Sequence, residues 1–209
     1  MAPNLSHSAF AQLASEKQIE KTVQALQARG IRVVVFETSE EARTYVLDQI
    51  PDGAAVYNST SRTLEVLGLA EDIKHPTHFQ SVRARLATLD RVTQRTEILK
   101  LSASPDVLVG SVHAITEQGE IMIASAVGSQ LGPAASGAGM VIWVVGTQKL
   151  VRTLQDGFRR IREHSLLLES ERTQRVYGQA SAINKLLIVS GEAYPGRITI
   201  VLVKQQLGF

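Results

Sequence analysis

The sequence predicts an α/β domain, with a mainly parallel central sheet flanked by helices. Three observations carry this reading. Apolar runs such as "IRVVVFE" and "MVIWVVG" are short and continuous, as in strands covered on both faces. Segments with helical apolar spacing separate these runs, and that alternation builds parallel sheets. The 209 residues show no internal repeat, linker or low-complexity tract, so a single domain over residues 1–209 accommodates them.

In chain order, residues 8–29 read as an N-terminal helix with Ile19, Val23 and Leu26 on one face, closed by Gly30. Residues 31–37 form the first strand. Thr38 with Glu41 gives a capping box for a helix that ends before Pro51. Asp52-Gly53 turns the chain into a strand at 54–58, and "SRTLEVLGLAEDI" follows as a short helix. A longer helix carries Val82, Leu86, Leu89, Val92 and Leu99. "DVLVGSVHAIT" and "EIMIASAV" are strands joined by a tight Gln118-Gly119 turn, a hairpin that makes the sheet locally mixed. Residues 140–146 form another buried strand. Residues 150–169 read as a helix with Leu150, Leu154, Phe158, Ile161, Ser165 and Leu168 on one stripe. "NKLLIVSGE" and "GRITIVLVKQQLGF" supply the last strands.

Composition narrows the chemistry. There is no cysteine, which removes disulfides, thiolate nucleophiles, iron–sulfur clusters and thiolate zinc sites from this chain. The 22 basic and 20 acidic residues are interspersed and aromatics are scarce, so nucleic acid is not an expected partner. No apolar run approaches the roughly 20 residues that cross a bilayer, so no membrane association is expected. The start "MAPNLSHSAF" has no secretory pattern, and the expected location is cytoplasmic.

Ligands of open α/β sheets collect beyond the C-terminal ends of the strands. Two segments qualify. In "YNSTSRTLEVLG", Asn58, Ser59, Thr60, Ser61 and Thr63 bring hydroxyls and free N–H groups to a helix start, a setting suited to phosphate or carboxylate. Capping by Ser59 or Ser61 would account for one of these hydroxyls. No lysine stands at P-loop spacing, which disfavours nucleotide hydrolysis. In the second segment, Gly110 and Ser111 interrupt a β-branched strand, as a bulge or a close backbone approach does. Glu117, followed by Gly119, is either a carboxylate for general-base or nucleophilic chemistry or a solvated turn residue. Ser129 and Gln130 lie in the small-residue run "VGSQLGPAASGAG", whose glycines suit either converging amides or a mobile loop. His113 sits among apolar residues, and "HPTH" (His75, His78) lacks a third ligand, so no metal site is expected. "FRRIREH" reads as a solvated basic helix face.

Together, "VGSVHAITEQGEIMIASAVGSQLGPAASGAGMVIWVVGTQKLV", "GFRRIREHSLLLESER", "NKLLIVSGEAYPGRITIVLVKQQLGF" and "NSTSRTLEVLGL" resemble the LUD domain, the lactate-utilisation protein family, over nearly the whole chain. The resemblance implies membership of the superfamily of ribose-5-phosphate isomerase, glucosamine-6-phosphate deaminase and CoA transferases. It also implies a Rossmann-like parallel sheet with an added antiparallel hairpin. By motif position, Glu117 in "ITEQGE" matches an acidic residue before a glycine, and Asn58–Thr63 matches the phosphate-loop region more loosely. The chain departs from the family pattern at "QLGPAASGAG", where many members have Leu-Pro, and at His113, where the pattern has Asn in "SVNAIT".

The resemblance implies an accessory role in L-lactate utilisation beside iron–sulfur partner subunits, with a small anionic ligand. The alternative is an isomerase or acyl-CoA transferase acting on a phosphosugar or CoA ester, with Glu117 as base or nucleophile. No cofactor is specified by the residues, and a homo-oligomer is compatible with them.

Overall fold

The computed structural model of the chain describes residues 9–209. The predicted start of the first helix, at Ser8, lies outside them. The helix α1 spans Glu16–Ala28, where Ser15 accepts the Gln18 N–H as its N-cap, and it buries Ile19 and Leu26. Strand β1 (Arg32–Phe36) leads to α2 (Ser39–Asp48), opened by the full Thr38–Glu41 capping box. After β2 (Ala55–Asn58), the predicted single helix is two, α3 (Arg62–Val66) and α4 (Leu69–Lys74). Gly68 separates them at φ +81°, a left-handed conformation that a side chain resists.

The two-residue strand β3 (Gln80–Ser81) precedes α5 (Val82–Ala87) and α6 (Arg95–Ala103). One long helix was expected here. Instead the Asp90 carboxylate accepts the N–H groups of Val92 and Thr93 and holds the chain in a turn. Val92 and Leu99 consequently stay exposed.

The predicted strand through Gly110 and His113 also divides. Its first half, β4 (Val107–Gly110), joins the central sheet, and its second, β5 (Ala114–Thr116), belongs to another. The central sheet has six strands in the order β1-β10-β7-β4-β2-β3, with β10 (Ile198–Val203) and β7 (Met140–Gly146) among its interior strands, and every pairing is parallel. The hairpin of β5 with β6 (Ile121–Ser125) therefore leaves the central sheet unmixed. It pairs instead with β8 (Leu150–Val151) and β9 (Lys185–Val189) in a four-stranded sheet of order β8-β5-β6-β9.

The continuous apolar runs are explained by two cores. Leu108, Val141, Trp143, Val145 and Ile200 face one side with Ile19 and Leu26 of α1. Val107, Val109, Ile142, Val144 and Val201 face the other with Ala42, Val46, Leu64 and Leu69. Both faces of the sheet are thus covered, so alternation in the sequence is lost. The four-stranded sheet uses Ile115, Ile121 and Ile123 toward the first core and Ala114 and Met122 toward Ile161.

The helix predicted from Leu150 begins only at α7 (Leu154–Arg160), capped by Thr153, because Leu150 and Val151 are strand. It passes through one π-helical turn, Ile161–Ser165, and continues as α8 (Leu166–Tyr177) to end at Gly178.

Candidate functional site

Three adjacent strands of the central sheet, β7, β4 and β2, end on the same side, and each hands the chain to polar residues. β2 ends in Asn58 and continues as Ser59, Thr60 and Ser61. β4 ends in Gly110 before Ser111. β7 ends in Gly146 and the short turn Thr147–Lys149. A cavity of about 490 Å³ lies beyond these ends. The open end of the hairpin, with His113, Ala124 and Ser125, and the π turn with its neighbours form the facing wall.

The side chain at the floor is Lys149, 1% exposed. Its Nζ donates to Thr63 Oγ1 at 2.9 Å and to Ser111 Oγ at 3.0 Å, and among the described residues it has no carboxylate partner. Thr63 Oγ1 donates in turn to the Leu207 carbonyl, so toward Lys149 that hydroxyl is an acceptor only. Burial first, and then the nearby Arg160 charge, hold Lys149 well below an ordinary lysine.

Arg160 stands behind the wall, fully buried. Its Nη1 donates to the His113 carbonyl and, at 3.0 Å, to Ser165 Oγ, which lines the cavity. Its Nε and Nη2 are buried without partners. Burial lowers Arg160 to about 9, so it remains a cation at neutral pH. The π turn places it there: the Leu166 N–H bonds to the Ile161 carbonyl five residues back. Arg160, Ile161, His164 and Ser165 are buried around this inserted turn, an arrangement frequent at functional sites.

His113 accepts the Ala124 N–H at Nδ1 (3.2 Å), which assigns the proton of the neutral ring to Nε2. Burial, Lys149 and Arg160, in that order, push its pKa down to about 3. His164 falls to about 4 through burial, then Arg160 and Lys149. The outer rim carries an Arg172–Glu169 pair with bonds of 2.7 and 2.8 Å, and the Glu169 hydrogen bonds raise Arg172 above an ordinary arginine.

Most of the ligand-binding residues expected from sequence meet at this cavity. Ser59, Thr60, Ser61, Thr63, Ser111, His113, Ser129 and Gln130 all line it. Ser61 also caps α3 by accepting the Leu64 N–H at 3.5 Å, and Thr60 accepts from Arg83 Nη2 at 2.8 Å. Gly110 sits just behind: a Cβ there would meet Ser59 Oγ at 2.7 Å, so glycine keeps that hydroxyl in place. Asn58 is buried at the end of β2, where its carbonyl accepts from Arg83 Nε, and it does not reach the cavity.

Glu117 and Gly119 are elsewhere. They form the closed end of the hairpin, packed on α1, with Glu117 Oε2 2.8 Å from Lys21 Nζ and Gly119 turning at φ +86°. Arg29 donates to the Gln118 carbonyl and pairs with Glu120 at the same place. The expected base or nucleophile is therefore a docking contact between hairpin and helix, outside the cavity. The basic stretch "FRRIREH" is corrected too: Arg159 and Arg162 are solvated, but Arg160 and His164 are buried beside the site.

Lys149 and Arg160 were not anticipated. Lys149 had one signal, a solitary lysine between a seven-residue apolar strand and Leu150-Val151. Arg160 shares a helix face with Gly157, where a Cβ would collide with Met122 Sδ, a mark of close packing. Among the described residues no group of three or more His, Cys, Asp or Glu is placed to hold a metal, and no helix is long and apolar enough to cross a membrane.

The chain belongs to the LUD domain family, whose model matches residues 19–208. In structure it is similar to a DUF162 family protein from Deinococcus radiodurans, with a TM-score of 0.56 and 13% identity, over 92% of this chain and 99% of that one. At that identity the likeness concerns the fold alone. A comparison with curated protein sequences finds no match.

Proposed function

We propose that this LUD-domain chain binds a small organic anion beside Lys149 and serves L-lactate utilisation as an accessory to iron–sulfur partner proteins. One observation carries the binding reading. Lys149 lies buried at the floor of a hydroxyl-lined cavity, with Arg160 behind it and, among the described residues, no carboxylate paired with either. Burying an unpaired cation costs several kcal/mol, and an entering anion returns the missing charge. Ser59, Thr60 and Ser111 offer hydroxyls to its oxygens, and the volume of about 490 Å³ falls within the span of small-molecule sites.

The lactate role is supported by family membership, and the absence of cysteine from these 209 residues fits clusters carried by partner proteins. A thermal-shift panel of hydroxy acids, oxo acids, phosphosugars and CoA esters tests the site. A specific ligand at a hundred times its dissociation constant stabilises by about 2.7 kcal/mol. That shift is expected to vanish in Lys149→Met. The pathway role is tested separately, by deleting the gene: unchanged growth on L-lactate removes it.

A further inference from the structure

We infer that Lys149 is a carbonyl-reactive amine, whose Nζ forms an imine with an aldehyde or ketone carrying an anionic group. This rests on the anion-binding reading above, with the charge met by Arg160, a cation at neutral pH, and goes beyond it, because imine formation needs a free lone pair on Lys149 Nζ.

The geometry of the nitrogen is the first argument. Thr63 Oγ1 takes one N–H at 2.9 Å, and Ser111 Oγ stands 3.0 Å away in a second direction. Among the described residues no other group bonds to Nζ, and the side chain lines the cavity, which leaves it open to a ligand. Two oriented contacts hold the amine without protonating it, since both partners are neutral hydroxyls.

The surroundings are the second. A lysine becomes a nucleophile at neutral pH when it is desolvated or set beside another cation. Both conditions hold here: Lys149 is 1% exposed, Arg160 is the neighbouring charge, and no carboxylate among the described residues pairs with the nitrogen. The ligand's own anionic group is served by the hydroxyls of Ser59 and Thr60 on the adjoining wall.

The chemistry balances without a further reagent. The Nζ lone pair attacks the carbonyl carbon, the C=O π pair moves to oxygen, and one amine proton follows it, with Ser111 Oγ placed to relay it. The carbinolamine then loses its hydroxyl with the second amine proton as water, leaving C=N. Neither oxidant nor reductant is consumed.

A 2-oxo acid and a sugar phosphate aldehyde share this chemistry, and the experiment separates them. The full chain is incubated with pyruvate or with glyceraldehyde 3-phosphate, reduced with borohydride, and analysed by intact mass and peptide mapping. A thermal shift with each compound is measured in parallel. Expected is one adduct per chain, confined to the Lys149 peptide and absent from Lys149→Met. Pyruvate would add the mass of pyruvic acid less one oxygen and mark a 2-oxo acid site; labelling by the phosphate alone would mark a sugar phosphate site. Mapping on the unaltered chain makes the result independent of whether the variant folds. A thermal shift without an adduct at Lys149 overturns the imine and leaves anion binding intact. Adducts scattered equally over exposed lysines overturn it too, and the absence of both shift and adduct overturns both readings.

Discussion

The two ends of the central sheet treat buried cations in opposite ways. At the N-terminal end, Arg197 precedes β10 and is 12% exposed. It pairs with Glu192 through Nε at 2.7 Å and donates to the carbonyls of Ala134, Ala135 and Ala138 at 3.1 Å. Burial pushes Glu192 up, but the Tyr194 N–H, Arg197 and the Ala193 N–H together hold it below an ordinary carboxylate. At the C-terminal end, the hydrogen-bond partners of Lys149 and Arg160 among the described residues are neutral, and two guanidinium nitrogens have no hydrogen-bond partner there. A satisfied charge holds strands together. An unsatisfied one is stability forgone, and sites are where chains carry such deficits.

The largest effect is expected where the charge is satisfied. Arg197→Ala leaves Glu192 and three carbonyls stranded and should cost about 3–5 kcal/mol in denaturant unfolding. At the other end, Lys149→Met replaces a desolvated amine without a carboxylate partner by an apolar side chain of similar volume, so stability should hold or rise while the ligand-induced gain of about 2.7 kcal/mol disappears. If Lys149→Met destabilises as much as Arg197→Ala, the two ends do not differ and the cavity loses its meaning as a site.

The pH dependence sharpens the same contrast. His113 and His164 titrate at about 3 and about 4 in the folded chain, against 6.5 ordinarily. Between these values the unfolded chain binds more protons, so stability is fully present above about pH 6.5 and falls as the pH drops toward 4 and 3. The slope approaches about 1.4 kcal/mol per pH unit for each histidine. Urea titrations across that window should show it, and His113→Gln should reduce it.

The smallest effect is expected at the hairpin turn. Glu117 pairs with a Lys21 that is 53% exposed, so Glu117→Gln should change stability by no more than about 1 kcal/mol and leave ligand binding untouched. Lost ligand binding in that variant would return Glu117 to the site.

Much of the cavity lining was legible in the sequence. The Ser/Thr cluster from Ser59 to Thr63 and the break at Gly110-Ser111 were visible because strand ends and β-interruptions are local events. Glu117 misled for the complementary reason. Its hairpin was correctly read, but which end of that hairpin faces the cavity depends on the chain leaving the central sheet between Gly110 and Ala114. Nothing local announces that exit as a change of sheet.

The sequence by itself determined the fold class, because burial on both faces of the strands writes itself as unbroken apolar runs and helices as periodic ones. It also determined the capped helix start at Thr38 and narrowed the next to Ser59 or Ser61, of which Ser61 is the cap, because such hydrogen bonds span three residues. Only the tertiary structure decided that Lys149 would meet Thr63 from 86 positions away, with Arg160 behind. A lysine's charge state is set by the dielectric and the partners around its nitrogen, and those exist only once strands distant in sequence lie side by side.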